Sequence, residues 1–458
     1  MTGTASSSRS FSQRALSVGT LVIAAVILSA PAIYNRYPLL FPDTFDYLIS
    51  RDALADLSRP YNVRPVFYGW LLLPFRFEYG LWAVVLAQGI VVAYVLRRTI
   101  VALNCNWSHL VFVAFVAILA AATSLPWYVS HVLPDIFSGL VVLTLFLLAV
   151  SDLSLAGTER LGLTALATAG ILVHLSHFAI AGAVIALAVI LRWLVPAVTP
   201  RISLSRITLP LGLAIAGMIG YGALANDGHI LPPRSPAFLL GRLFSDGPGK
   251  AYLEGACGEQ KYLLCQYQDW LSGTPDEIMW RPGSPLWRRD LFPRIKAEEP
   301  AIIQGTVVAY PWWIAKRAII DFLKQLKTAF IDVFFDEEAA QSFFTGHVVI
   351  AQAFRSSRQG EGQLTTWALR DFNFFDGWIV VVGAIACLTV AAAATRRRDW
   401  MILQFMGVVA TGILANAFVC GALSSGDGRY QARIVWLIPF AAIVGAARVV
   451  RSRPTPWT

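Results

Sequence analysis

Apolar runs recur near 15–33, 79–96, 110–126, 137–151, 161–177, 178–195, 207–225, 377–395, 400–420 and 433–450, separated by short polar turns. A helix needs roughly 20 mostly apolar residues to cross a bilayer. The pattern therefore predicts an all-α integral membrane protein with about ten transmembrane helices. Between the seventh and eighth runs the pattern changes. Residues 226–305 are rich in Gly, Pro and aromatic residues, which predicts turns and short helices. Over 306–335, "TVVAYPWWIAKRAIIDFLKQLKTAFIDVFF", apolar residues return at helical spacing, with Lys316, Arg317, Asp321, Lys324 and Lys327 at the other positions. This predicts an amphipathic helix. It would lie in the membrane interface with Trp312 and Trp313 at headgroup depth, or pack on the neighbouring domain. The expected organisation is an N-terminal membrane domain over 1–225, an inserted domain over 226–375, and C-terminal transmembrane helices over 376–458.

Composition agrees with the pattern. Of 458 residues, 56% are hydrophobic and 14% charged, with mean hydropathy +0.59; soluble domains carry about 25% charged residues. Orientation follows from arginine. With the N-terminus cytoplasmic, that side holds Arg9, Arg14, Arg97, Arg98, Arg160, Arg192, Arg201, Arg206, Arg396, Arg397, Arg398, Arg448, Arg451 and Arg453. Only Asp152, Glu159 and Asp399 oppose them. Both termini are then cytoplasmic, and 34–78, 127–136 and 226–375 face outward. The net charge of +9 is explained by arginines at span ends beside lipid headgroups, so no nucleic-acid partner is expected. The first run, "ALSVGTLVIAAVILSAPAIYN", is long for a signal peptide and is read as a retained anchor, although "SAPA" offers small residues for cleavage. Cys257 and Cys265, in "CGEQKYLLC", are close enough for a disulfide in an oxidising compartment. Cys105, Cys387 and Cys420 lie in or beside spans and read as packing residues.

The candidate chemistry sits at the outward turns. In the acidic first external loop, "LLFPDTFDYLISRDAL" carries Asp43 and Asp46 three residues apart, on one face of any helical turn, with Tyr47 adjacent. The next turn, "PWYVSHVLPDIFSG", supplies His131 and Asp135. "ILVHLSHFAIAG" places His174 and His177 where two apolar segments meet, and "SSGDGRYQAR" delivers Asp427, Arg429, Tyr430, Gln431 and Arg433. Ionisable residues at membrane depth are costly and mark functional sites. His131, Asp135, His174 and His177 mix nitrogen and oxygen donors. A divalent metal is one candidate occupant and a hydrogen-bonded histidine pair lining a polar cavity is the other, so no metal ligand is assigned.

Together these features resemble the GT-C superfamily of glycosyltransferases, polytopic enzymes that take a sugar from a polyprenyl-phosphate carrier on the outer membrane face. The resemblance rests on "FPDTFDYL" directly after the first span, on "RPYNVRPVFYGWLLLPF", which includes Arg64, on "HVLPDIFSG", and on "GRYQARIVWLIPF" leading into the last span. The family's essential first-loop acid corresponds to Asp43 or Asp46; its usual adjacent acidic pair is absent, since Thr44 and Phe45 intervene. The resemblance implies an enzyme of a bacterial inner membrane that transfers a hexosyl or pentosyl group. It implies a lipid-linked sugar donor, membrane lipids around the chain, and a glycan, lipid or protein acceptor. Asp43 or Asp46 would act as general base, while Tyr47, Arg64, His131, Asp135, His174, His177, Arg429, Tyr430 and Arg433 would bind substrate. Arg429 and Arg433 would stabilise the departing phosphate. The alternatives are a transporter, flippase or polymerase for lipid-linked glycans, and a non-catalytic membrane assembly subunit.

Overall fold

The structure, a computed structural model, describes residues 4–52, 64–150, 155–194, 202–225, 237–286, 288, 290–335 and 337–451. Helices dominate it. Among the described residues no named β-strand occurs, only isolated bridges between Leu39 and His131 and between Val150 and Ile202. Among the described residues, six helices are long and apolar enough to cross a membrane: Gly80–Ala102, Leu175–Leu194, Leu204–Leu224, Arg370–Arg396, Trp400–Ala422 and Gly428–Arg451. Ala15–Leu28, His109–Ala122 and Pro134–Ala149 are apolar but shorter. The chain is thus a multi-pass membrane protein of helical class, and helix covers most of the described part of each apolar run.

Two helix breaks shape the site. The run near 110–126 stops at Ala122, and a short helix, Leu125–Ser130, restarts after Thr123 and Ser124 with Pro126 in its first turn. Proline is tolerated there because its missing amide hydrogen has no partner at a helix start. Gly157–Leu172 and Leu175–Leu194 are likewise separated at Val173 and His174. Both breaks free backbone and polar side chains inside an otherwise apolar bundle, and both carry candidate residues.

The inserted stretch does not form one body around one core. Residues 237–303 have their own apolar cluster, including Leu240, Phe244, Leu253, Leu264, Leu271, Ile278 and Ile302. Cys257 and Cys265, at disulfide distance with Cα atoms 5.7 Å apart, belong to this unit. Further along, Phe343, Phe344 and Phe354 join the main cluster of the membrane helices. There Phe343 and Phe344 pack on Phe45 of the first loop, with ring centroids 4.9 and 5.5 Å away.

The amphipathic segment over 306–335 is also broken. Phe292–Ala309 ends at Tyr310, and Pro311–Lys327 begins afresh. Pro311 cannot donate to the preceding turn and disfavours helical geometry at Tyr310. Residues 328–335 are not helical. On Pro311–Lys327 the two polar residues Asp321 and Gln325 are buried and the helix packs on Trp400–Ala422, while Trp312, Ile319, Ile320 and Leu323 are exposed together with Lys316, Lys324 and Lys327. The approach is close. A Cβ on Gly421 would lie 2.6 Å from the Asp321 carbonyl oxygen.

Candidate active site

The chain leaves the first apolar segments through a clamped extended stretch. Leu39 N donates to Ser130 O and Val132 N donates to Leu39 O, both at 3.0 Å. The Gln359 amide accepts from Leu40 N at 3.1 Å and donates to Leu40 O at 2.7 Å. With this register fixed, the Pro42–Asp52 helix starts at a defined point, and Thr44 Oγ1 accepts from Phe41 N at 3.0 Å. Asp43 and Asp46 then share one helical face.

That face meets two arginines from distant parts of the chain. Arg64 Nη2 lies 2.6 Å from Asp43 Oδ1, and Arg429 Nη2 lies 3.2 Å from Asp43 Oδ2. Arg64 Nε also reaches Asp46 Oδ2 at 3.6 Å. Asp43 is therefore held between two guanidiniums, one on each oxygen. Asp46 differs. Burial raises its carboxyl to about 6, with Arg64 pulling down and the Asp43 charge pushing up. A carboxyl in that range is suited to general-base work near neutral pH.

Tyr47 is buried in the bundle, within the field of Arg64. Its ring meets Tyr68 edge-on at 5.0 Å, and Tyr68 OH donates to Gln88 Oε1 at 2.9 Å. Gln88 Nε2 donates to the carbonyls of Val129 and His131, each at 2.9 Å. The Gly80–Ala102 helix thereby ties the first loop to the second turn.

On the Gly428–Val435 helix, Arg429 and Arg433 stand four residues apart and share a face. Asp427 caps this helix by accepting from Arg429 N at 2.7 Å, and Tyr128 OH donates to Arg429 O at 2.8 Å. The two side chains have different surroundings. Arg433 is fully buried. Its Nη1 donates to Asp135 Oδ1 at 2.9 Å, and its Nη2 donates to Asn416 Oδ1 at 2.9 Å and Ser176 Oγ at 2.8 Å. Arg429 lies with its guanidinium carbon 4.0 Å from the Phe41 ring centre. Its buried Nη1 has no hydrogen-bond partner among the described residues. Tyr430 sits beside it, with OH 3.4 Å from Arg429 Nη2.

The three histidines have definite roles in the network. His131 Nδ1 faces the Trp127 carbonyl at 2.9 Å, so that nitrogen carries the hydrogen. Burial lowers this ring to about 4. It is neutral, and Nε2 is a buried acceptor without a partner among the described residues. His177 Nδ1 donates to Gly170 O at 2.6 Å, leaving Nε2 to accept from Ser138 Oγ at 2.8 Å. His174 Nδ1 accepts from Ser176 N at 3.2 Å and from Ser176 Oγ at 2.8 Å. Ser176 thus relays between Arg433 and His174.

The structure brings Asp43, Asp46, Arg64, Arg429 and Tyr430 into one cluster, and Asp135, Arg433 and His174 into a second layer one helical turn along. His177 is engaged behind that layer, Tyr47 packs to the side, and Cys257 and Cys265 belong to the 237–303 unit. No group of three or more His, Cys, Asp or Glu among the described residues could hold a metal ion. Gln88, Ser176 and Asn416 were missed in the sequence. Their signal was an uncharged polar side chain within an apolar run, and Asn416 and Gln88 are both buried. A scan of family models and searches of curated proteins and of solved structures return no match to this chain.

Proposed function

We propose that this chain is a GT-C-like membrane glycosyltransferase. It transfers a sugar from a polyprenyl-phosphate donor to an acceptor outside the cytoplasm, with about ten spans and both termini cytoplasmic. One observation carries the reading: a half-buried carboxylate raised to about 6, Asp46, lies beside Arg64 and Asp43, and Asp43 also pairs with Arg429, whose buried Nη1 has no hydrogen-bond partner among the described residues. An acceptor hydroxyl attacking an anomeric carbon needs a base, and the departing phosphate needs a fixed cation. In the proposed step, Asp46 takes the hydroxyl proton as the new C–O bond forms. The bond from the anomeric carbon to the carrier phosphate breaks, and Arg429 Nη1 donates to the phosphate oxygen that gains charge. Asp43 holds Arg64 and Arg429 in place. A cavity of about 460 Å³ has an apolar side formed by Phe75, Phe77, Leu81, Val349 and Ile350 and a polar side formed by Arg76, Glu78 and His347, which suits the junction of a lipid tail and its headgroup.

The direct assay is sugar transfer from a panel of polyprenyl-phosphate sugars in proteoliposomes. Arg429→Lys keeps the charge and loses the planar fork. It should raise the KM for the donor and lower turnover while elution from a sizing column stays normal. Parental kinetics in this variant would remove Arg429 from phosphate handling.

Topology is tested separately. Ser272 and Ser205 are exposed, the first in the 237–303 unit and the second at the start of the Leu204–Ala225 helix. Cysteine at 272 should react with an impermeant thiol reagent on intact cells, and cysteine at 205 only after permeabilisation. The reverse pattern would invert the protein in the membrane.

A further inference from the structure

One short helix of the 237–303 unit reaches the carboxylate cluster. In Pro275–Trp280, Ile278 and Met279 are buried in the unit's own core. Asp276 and Trp280, four residues apart, share a different face. The Arg64 guanidinium carbon lies 6.0 Å from the centre of the Trp280 ring, and it is the same guanidinium that pairs with Asp43 and Asp46. Asp276 hydrogen-bonds Ser425 and lies in the fields of Asp427, Arg429 and Asp43. Burial, then the Asp427 charge, raises its carboxyl.

The presentation of this helix is fixed from both ends and from behind. Thr274 and Glu277 form a reciprocal capping box at its start. Gly273 and Gly283 flank it with φ of 126° and 86°, a region that disfavours side chains. Behind it packs Phe238–Asp246, where Arg242 pairs with Asp246 at 3.1 Å and with Asp321 of the Pro311–Lys327 helix at 2.6 Å. Arg317 closes the quartet on Asp246 at 3.3 Å. All but Arg317 are nearly inaccessible to solvent. These charges lock the unit to the helix that packs on Trp400–Ala422, and so hold Asp276 and Trp280 over the cluster.

We propose that Trp280 and Asp276 form the acceptor subsite and that the acceptor is a neutral saccharide. This rests on the glycosyl-transfer reading given above. A pyranose or furanose ring has an apolar C–H face that suits an indole and hydroxyls that donate to a carboxylate. A lipid acceptor would gain nothing from Asp276. An anionic acceptor would meet Asp276 and Asp427 beside arginines already paired with Asp43 and Asp46, and would compete with the donor phosphate for Arg429. Trp280 is half-buried, with its ring also meeting Phe238 edge-on at 6.3 Å between centroids, and a sugar ring laid against it directs a further hydroxyl toward Asp46.

The test uses the purified full-length protein and two independent readouts. Binding of maltotriose, mannotriose and arabinotriose is followed by ligand-observed saturation-transfer NMR, which needs no turnover. Transfer kinetics are followed with whichever trisaccharide binds. Trp280→Ala should weaken binding and raise the acceptor KM about tenfold, with the donor KM unchanged. Trp280→Phe should recover most of the loss, which a change in fold would not allow. Asp276→Asn should raise the acceptor KM by a smaller factor. Trp280-dependent binding without transfer from any donor would keep the subsite and sink the glycosyltransferase reading. Transfer with an acceptor KM indifferent to Trp280→Ala would overturn the subsite, as would the absence of a Trp280-dependent signal from all three sugars.

Discussion

Asp46→Asn should cut sugar transfer by roughly 10²–10⁴-fold and abolish the acidic limb of the pH profile, whereas Asp43→Asn should move that limb to lower pH. The substitution keeps the size of the side chain and much of its hydrogen bonding while removing proton acceptance. The sign for the parent follows from Asp46 being raised to about 6 from its ordinary value of 3.8. Its basic form, and with it kcat/KM, should grow as pH rises through about 6 and then level off. In Asp43→Asn the repelling neighbour is gone and Arg64 keeps Asp46 as its partner. Both changes favour the charged carboxylate, so the Asp46 carboxyl falls toward the usual range and the limb follows. Turnover in Asp43→Asn also drops, because Arg429 loses the carboxylate that holds it at 3.2 Å. Should both variants transfer sugar at the parental rate with an unshifted profile, the first-loop carboxylates would not be the base. The transporter and assembly readings would then move ahead.

The elements of this site were legible in the sequence to different degrees. Asp43, Asp46, Asp135, Arg429 and Arg433 stood out because charge within or beside apolar runs is expensive, so each marked a place where the fold supplies a partner. The partners themselves were not legible. Arg429 and Asp43 are separated by 386 positions, and no local pattern encodes a pairing across that distance. The same limit hid the different roles of Arg429 and Arg433, which differ by one helical turn and by the depth to which each is buried. Asn416 and Ser176 passed unnoticed because an uncharged side chain hardly interrupts an apolar run, although both bind Arg433. The amphipathic run over 306–335 announced a helix, but Pro311 divided it, and of its polar residues Asp321 and Gln325 are packed while the lysines stay exposed. Residues 226–375 read as one insertion because turns and glycines continue through them. The packing of Phe343 and Phe344 on Phe45 and the hydrogen bonds of Gln359 to Leu40 join their later part to the first loop and the membrane helices.

Arg433 should be worth more to the fold than to the reaction. Its side chain is 0% exposed and that of Asp135 is 4% exposed, with Asn416 and Ser176 completing the set of acceptors. Arg433→Met leaves the Asp135 carboxylate buried without its cation and should cost about 3–5 kcal/mol, seen as a lower unfolding temperature in detergent and early aggregation. A matched apolar pair removes the stranded charge along with its partner, and such replacements are often close to neutral. The double variant Arg433→Met with Asp135→Leu should therefore recover most of the lost stability. Activity then separates two roles. If Arg433 is a scaffold that fixes the Gly428–Val435 helix and so aims Arg429, the double variant should regain transfer together with stability, and this is the expected result. If Arg433 itself handles the donor phosphate, stability returns while turnover does not, and the phosphate site would have to extend one helical turn deeper than Arg429. A single Arg433→Met variant that unfolds at the parental temperature would show that the buried network is not what holds these helices together.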